Sequence, residues 1–372
     1  MLRPHIFETK KQIYQFPIPN SQFPIPNSQF YLKIMDYKEL VPQAFDLSPY
    51  QFGMPQQSGS IAVVPIFGPN RPGFTGPISG LKLSKVTGYG SVELANPGAT
   101  GVAIVPLHIG YIQDGAQNHA LCRSAFIAAG QKLLFEDACC VQESQGGYLE
   151  GRDQWFFILP VKLRAIALSM RGEQGFGKLW DNIAELNQEF GLESRGHLEQ
   201  ILTRQRGFLT QYQSRLELLP GQTGALFFIG DKLVGVEIAP SAAYFEEVWM
   251  PLVCFCYGAA AMGEDRKAQA QKKEGQKAGS NQSLPPEPFA ATNLRELREQ
   301  LQQSRFQLQQ QMRNYLEKTP AQKFEIQEEE RFLNMRLQTA TSRDFAGQFV
   351  EEDGELVYAS LFATPKFFSP TP

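Results

Sequence analysis

The string Gly172-Glu173-Gln174-Gly175-Phe176-Gly177-Lys178 has the spacing of the G-x-x-x-x-G-K part of a phosphate-binding loop, and it lies between an apolar segment and a helical pattern. Such a loop holds phosphates with backbone amides and a lysine at a helix N-terminus. The next position must supply a hydroxyl for magnesium. Here it is Leu179, which also falls on the apolar stripe of the helix that follows. No downstream strand ends in a carboxylate placed for magnesium, and Asp231 sits in a hairpin turn. Nucleotide hydrolysis at this loop is therefore not expected.

A second cluster, Gln117-Asn118-His119, follows Asp114-Gly115-Ala116. Gln and Asn amides can read the polar edge of a ligand, and a neutral histidine can accept a proton near neutral pH. Gln117, Asn118, Asn96 and Trp180 are the candidate ligand-binding residues, and His119 and Glu143 the candidate catalytic groups. The competing reading is that the amides and His119 cap turns, and that Trp180, on an apolar helix stripe, is core. Glu143, Glu150 and Asp153 are acids beside a Gly146-Gly147 turn, where solvated loop charges are the common alternative to general acid–base work.

Metal and disulfide chemistry are not expected. The histidines at 5, 108, 119 and 197 show no metal-ligand spacing. His108 reads as a core-edge imidazole, and His197 as an exposed residue in the first turn of a helix. The five cysteines (Cys122, Cys139, Cys140, Cys254 and Cys256) are odd in number and form no C-x-x-C pair, so they read as small buried apolar residues. No cofactor is implied.

The chain has 372 residues, 42% hydrophobic and 20% charged, with a net charge of -3. That supports one large core or two smaller ones. A mildly acidic chain does not attract phosphate backbones broadly, so nucleic acid is not an expected partner. The longest apolar stretch, residues 248–262, contains Pro251 and Gly258 and falls short of the roughly 20 residues that a membrane span needs. No signal peptide is read at the N-terminus. A soluble, cytoplasmic protein with no membrane contact is expected.

The predicted fold is mixed α/β (α+β). It has a strand-rich first half, amphipathic helices, two similar β-hairpins, and a C-terminal helix plus hairpin. Residues 1–34 read as a disordered tail carrying the tandem repeat QFPIPNS at 15–21 and 22–28, and Met35 is an alternative start. The main domain is expected over 58–262. Strands are predicted at 60–67, 101–107, 131–142 and 154–168. One helix is predicted from Phe176 to Phe190, and another after an N-cap at Ser194. A hairpin at 224–238 is followed by a helix from about Ser241, kinked or restarted at Pro251. Residues 263–291 read as a flexible linker. Residues 292–362 then complete the domain with a Gln-rich helix at 293–316 and a hairpin, ahead of a disordered tail at 363–372. GALFFIGDKLVGVEI from Gly224 aligns without a gap with GQFVEEDGELVYASL from Gly347, so chance similarity and an internal duplication are both open readings.

From Gly90 to Met262 the chain resembles the ARG and rhodanese-phosphatase-superfamily-associated protein domain family. The resemblance rests on Gly90-Ser91-Val92-Glu93-Leu94, Asn96, Gln117-Asn118, Cys140-Val141, Trp180-Asp181-Asn182-Ile183, Ser194-Arg195-Gly196 and Gly221-Gln222-Thr223-Gly224-Ala225. It implies a setting in ADP-ribose or nucleotide metabolism. Three positions depart from the family pattern. Ile109-Gly110 stands for a Gly-Glu pair, His119 for a basic residue, and Gln142 for an acid, with Glu143 one place later. Two functions follow as expectations. One is a domain that binds or processes a nucleotide or ADP-ribose-like small molecule. The other is a non-catalytic scaffold that meets a protein partner, or itself, through the 293–316 helix.

Overall fold

The structure is a computed structural model that describes residue 37 and residues 41–112, 117–143, 155–275 and 291–368. The repeat-bearing tail, the turn at Asp114, the Gly146-Gly147 turn with Glu150 and Asp153, and the last four residues lie outside the described residues.

The chain opens with three strands, β1 (Gln51–Phe52), β2 (Gln56–Ser58) and β3 (Ile61–Phe67). Small sheets follow, built from β4 (Lys82–Gly88), β5 (Ser91–Ala95), β6 (Val102–Ile104), β7 (Ile109–Ile112), β8 (His119–Ala120), β9 (Phe126–Ala128), β10 (Lys132–Phe135), β11 (Cys139–Cys140) and β12 (Trp155–Ile158). Four helices come next: α1 (Val161–Ser169), α2 (Trp180–Glu189), α3 (Glu199–Arg204) and α4 (Arg206–Gln213). The hairpin β13 (Gly224–Ile229) and β14 (Lys232–Ile238) leads into α5 (Ala242–Met250), a π-helical segment over Pro251–Tyr257, and α6 (Gly258–Gly275). Last come α7 (Leu294–Lys318), β15 (Glu325–Phe332), β16 (Met335–Thr341), β17 (Phe345–Glu352), β18 (Glu355–Ala363) and α8 (Pro365–Phe368). The fold is thus mixed α/β, and no helix among the described residues is long and apolar enough to cross a membrane.

One antiparallel nine-stranded sheet organises the molecule. Its order is β1-β3-β13-β14-β18-β17-β16-β15, with β2 also paired to β3. β3, β13 and β17 are apolar and buried along most of their length, as expected for strands covered on both faces. Pro65 is unusual inside such a strand because it cannot donate to the ladder. Its carbonyl accepts from Gly53, in the gap between β1 and β2, so the missing donor falls where the ladder is already interrupted.

The two aligned hairpins are the same structure twice. The pairs Gly224↔Ile238 and Phe227↔Gly235 correspond to Gly347↔Leu361 and Val350↔Tyr358. A bulge follows Phe227 in one hairpin and Val350 in the other. The match extends outward. Gly224 faces Ile66 of β3 as Gly347 faces Ala340 of β16. Ser58↔Ile61 corresponds to Phe332↔Met335, and Gln51↔Phe67 to Glu325↔Thr341. The extra residue that separates β1 from β2 reappears as the bulge between Glu328 and Glu330. Register shared across four strands is far more specific than a shared hairpin, and it favours duplication of a four-stranded meander. In the first copy the meander is interrupted between β3 and β13 by residues 68–223. The insertion carries a second, smaller core around Val92, Leu94, Ile109, Leu121 and Phe135.

Both copies keep a glycine where strands approach closely. A Cβ on Gly347 would lie 2.1 Å from the Ser360 carbonyl oxygen, and one on Gly224 would lie 2.4 Å from that of Glu237. Backbone cannot yield cheaply at such a contact, so Gly347→Ala is expected to cost about 1–3 kcal/mol, the usual range for overpacking. Urea denaturation checks this, and an unchanged midpoint would rule out the close approach.

Several predicted boundaries are corrected. Within the described part of the predicted 154–168 strand, residues 155–158 form the strand. Pro160 ends the strand and sits at the N-cap of α1, whose buried Val161, Leu163, Arg164, Ala167 and Leu168 follow helical spacing. The predicted strand at 131–142 is broken by a turn at Glu136 and Asp137. Helix α2 begins at Trp180, not Phe176. The helix expected after Ser194 starts at Glu199 and breaks at Gln205 into α3 and α4, while Ser194 accepts a hydrogen bond from Gln188. The helix expected from about Ser241 is α5, capped by Ser241 accepting from the Tyr244 N–H, and it restarts at Pro251 in π form.

The 263–291 linker does not begin at 263, because α6 runs on to Gly275. Its Glu, Lys, Gln and Ala residues are good helix formers. Asp265 takes hydrogen bonds from Ser60 and Tyr212, and Arg266 donates to the Phe190 carbonyl and to Gln205, which pins the start of the extension. The 363–372 tail likewise begins with strand and the short α8, whose Phe367 packs on Phe345. The expected C-terminal hairpin is a full meander from Glu325, and among the described residues strand structure starts at Gln51, ahead of the expected boundary at 58.

Candidate functional site

The Gln117-Asn118-His119 cluster lies where β8 is hemmed in by β7 and β11. Pairing of Tyr111 with His119 and of Cys140 with His119 buries the imidazole between neighbouring strands. The Gly90 N–H donates to Nε2 of His119 at 3.2 Å, and Nδ1 lies 2.9 Å from the Gln117 carbonyl. With Nε2 accepting, the proton sits on Nδ1 and is donated to Gln117. Both ring nitrogens are therefore engaged within the protein. Burial holds the His119 pKa below its ordinary value, with the Gln117 carbonyl opposing, so the ring is neutral at pH 7.

Asn118 is also buried. Its N–H donates to Oε1 of Gln142 at 3.2 Å, and its carbonyl accepts from Val141 at 2.9 Å. Gln117 is half-buried, with Oε1 accepting from the Cys140 thiol at 3.6 Å. Glu143 is exposed and is clasped to Gly196 twice. Its N–H donates to the Gly196 carbonyl at 3.1 Å, and its carboxylate accepts the Gly196 N–H at 2.7 Å. Trp180 packs on Gly196, where a Cβ would lie 2.7 Å from the tryptophan side chain, and Nε1 donates to the Cys140 carbonyl at 3.1 Å.

Gln117, Asn118, His119, Glu143 and Trp180 are thus brought together around Cys140 and Gly196. Asn96 is not. It lies at the far end of β5 from Gly90, roughly 20 Å along the strand. There it donates to the Ile127 carbonyl and Thr75 and accepts from the Gly98 N–H, pinning a turn. His197 is buried rather than exposed, because it bridges to Gln142 ahead of α3 instead of riding on the helix.

The surface beside this knot is aromatic. Tyr89 and Phe176, 57% and 40% exposed, lie with ring centroids 5.0 Å apart, and Phe176 meets the half-buried Trp180 edge-on at 5.4 Å. The ladder rests on backbone, since the Cys140 N–H donates to the Phe176 carbonyl. Gln117 and Glu143 stand around the same Cys140–Gly196 support. Exposed rings of this kind stack planar groups. Tyr89 was not singled out from sequence. Its only signal is an aromatic between two glycines in the turn that joins β4 to β5.

The phosphate-loop spacing is used differently. Lys178 donates to the carbonyls of Asp137, Met170 and Glu173 at 3.0, 3.3 and 2.6 Å, and the Gly172 N–H donates to the Asp137 carboxylate at 2.8 Å. An internal carboxylate occupies the amide, and three carbonyls take the lysine. Leu179 is fully buried.

A second polar cluster was missed in the sequence. Arg164 of α1, 1% exposed, reaches the middle of the large sheet. Nη1 donates to Glu237 at 2.5 Å and Nη2 to the Ser360 hydroxyl, while Nε donates to Nδ1 of His108 at 3.2 Å. Glu237 and Ser360 pair directly across β14 and β18 and occupy equivalent positions in the two meanders, so Arg164 plugs the point where the copies meet. Tyr257 also donates to Glu237 at 2.6 Å, and the guanidinium lies 4.3 Å from the Phe362 ring centre. Burial lowers the Arg164 pKa, but Glu237, Cys256 and Tyr257 together more than offset this and hold it raised. A cavity of about 10 Å³ adjoins Arg164, Glu237, Tyr244 and Tyr358, room for about one water. The cluster is sealed in the core and fits a structural role.

No group of three or more His, Cys, Asp and Glu residues among the described residues could hold a metal ion. No curated protein and no solved structure matches the chain. The pattern of the ARG and Rhodanese-Phosphatase-superfamily-associated Protein domain matches residues 49–362, from just before β1 to within a residue of the end of β18. The match includes both meanders and the insertion that carries the aromatic face. The chain therefore belongs to the ARG and Rhodanese-Phosphatase-superfamily-associated Protein domain family.

Proposed function

We propose that the domain binds the nucleoside part of a nucleotide or ADP-ribose-like molecule on the face of Tyr89, Phe176 and Trp180, and that it binds without turning the ligand over. The observation that carries this reading is the open aromatic ladder beside an amide and a carboxylate. A base stacks on such rings, worth about 1–3 kcal/mol per base. The exposed Glu143 carboxylate accepts hydrogen bonds from ribose hydroxyls, and the Gln117 amide meets a polar edge. The engagement of both His119 nitrogens and of Lys178 supports binding over catalysis, with phosphates directed to solvent.

A thermal-shift screen with ADP-ribose, NAD and AMP tests this reading, because a ligand of the folded state raises the melting temperature with concentration. Tyr89→Ala and Phe176→Ala change exposed rings, whereas Asn118→Ala would disturb the buried knot. Each ring variant is expected to weaken binding roughly tenfold or more, from the stacking it loses. No shift at millimolar ligand, or a shift that survives both ring variants, would exclude the site.

A second reading is supported by α7. Leu308, Met312 and Leu316 are buried, but the same helical stripe continues over Leu294 and Leu301, which are exposed. This reading makes α7 the contact for a protein partner or a second copy. Leu301→Lys would then abolish a concentration-dependent mass increase in light scattering, and a wild-type protein monomeric at all concentrations would dismiss self-association.

A further inference from the structure

Cys122 and Cys139 lie side by side in the insertion, with their sulfurs 2.9 Å apart. Both are wholly buried and free of disulfides. The backbone sets the approach. Cys139 pairs with Ala120 across β11 and β8, and Cys122 follows two residues after Ala120. The adjacent Cys140 turns its thiol the other way, toward the Gln142 carbonyl and Gln117. Cys254 and Cys256 lie in the π-helical segment, where Cys256 meets Arg164. The pairing is therefore specific to two of the five thiols.

We propose that Cys122 and Cys139 form a redox-active dithiol that closes to an intramolecular disulfide when a hydroperoxide reaches it. A disulfide holds its sulfurs about 2.05 Å apart, so the pair needs less than about 1 Å of further approach. The contact also readies one sulfur for attack. Either thiol can donate in this contact; with Cys122 as donor the Cys139 pKa is lowered, burial opposes this, Lys178 lowers it further, and Asp137 and Glu173 oppose. Burial selects a small uncharged oxidant such as hydrogen peroxide.

The Cys139 thiolate attacks one peroxide oxygen and the O–O bond breaks. The departing hydroxide takes up a proton and leaves as water, and Cys139 becomes a sulfenic acid. The Cys122 sulfur then attacks the Cys139 sulfur, the S–O bond breaks, and hydroxide leaves with the Cys122 proton as a second water. Two thiols and one peroxide yield one disulfide and two waters, with two electrons passing from the sulfurs to the peroxide. The new bond ties β11 to the end of β8. Those strands frame His119 and carry the Cys140 carbonyl to which Trp180 is bonded.

The test uses the full-length protein, reduced, exposed to hydrogen peroxide, quenched in acid, alkylated in denaturant and mapped by mass spectrometry. The expected result is loss of two of the five thiols, a mass lower by two hydrogens, and a reductant-sensitive link between the Cys122 and Cys139 peptides. Cys140→Ser should form the same link, and Cys122→Ser should not. All five thiols surviving a peroxide dose that oxidises the unfolded chain would overturn the proposal. So would a principal link between any other pair or between chains, or an oxidised Cys140→Ser protein that lacks the link.

Discussion

Arg164→Met is expected to destabilise the protein by about 3–5 kcal/mol, the usual cost of removing one partner from a buried ion pair. Glu237, 5% exposed, would keep the Tyr257 hydroxyl but lose its only charged partner among the described residues. Ser360 would lose its guanidinium contact as well. Glu237→Gln should cost less, because an amide oxygen still accepts from Arg164 and Tyr257. The double variant Arg164→Met/Glu237→Leu should regain much of the loss, since apolar groups of similar size can replace a buried pair at little net cost. Urea denaturation of Arg164→Met, Glu237→Leu and the double closes the cycle. Additive losses would show that Arg164 and Glu237 act independently and would remove the link at the junction of the meanders.

Stability is expected to fall as pH drops below about 6.5, where free histidine begins to charge. His108 is fully buried, and burial first, then Arg164, push its pKa well below the ordinary value against an opposing backbone contact at Cys122. Burial does the same for His119, and burial first, then Arg195, for His197 against the opposing Glu143 and Glu193. A histidine whose folded pKa is depressed binds its proton more readily in the unfolded chain. Its contribution is therefore complete above about pH 6.5 and is lost as pH falls toward the folded pKa. Each group gives a slope of up to about 1.4 kcal/mol per pH unit in that window, so the three together give roughly 4 at most. Burial pushes up the carboxyls of Glu199 and Glu330, which act in the opposite sense nearer their own range. Denaturation at pH 7.5, 6.5 and 5.5 checks the slope, and equal stability at all three would contradict the neutral, buried state of these rings. His119→Gln should remove about a third of it at most.

Strands β3, β13 and β14 of the large sheet were legible because they are apolar, rich in β-branched or aromatic residues and flanked by turn formers, whereas the polar β1, β2 and β15 were not. The helix start near Ser241 was legible because an apolar helical run follows it. The hairpin echo was visible in the letters, but only the matched bulges after Phe227 and Val350, and the equivalence of β3 with β16, separate duplication from chance. Sequence similarity between β3 and β16 is too slight to read, since register is kept by backbone pairing rather than by particular side chains.

The site was half legible. Gln117, Asn118 and His119 stood out as a polar cluster, but the sequence could not show that their hydrogen bonds close on Gly90, Gln142 and one another. Asn96 was grouped with them by residue type alone, and strand length separates them. Arg164 went unnoticed because residues 154–168 read as one apolar strand. Its trace was a lone charge inside a buried run, matched by Glu237 inside β14. Reading 161–169 as a helix would have placed Arg164 on the buried side with Leu163, Ala167 and Leu168. The helical extension to Gly275 was hidden because composition alone does not separate a solvated helix from a solvated loop.

The most direct test of ligand binding at the aromatic face is the indole N–H region of the amide spectrum of ¹⁵N-labelled protein, titrated with ADP-ribose. The chain has three tryptophans, so three indole signals are expected, and Trp180→Phe assigns the one of interest. Trp249 is buried under the large sheet beside Phe227 and serves as an internal control. A ligand stacked on the ladder should shift the Trp180 signal in a saturable way and leave that of Trp249 in place, and Tyr89→Ala should weaken the response about tenfold or more. A Trp180 signal that stays fixed at millimolar ADP-ribose, or moves only together with Trp249, would contradict binding at this face.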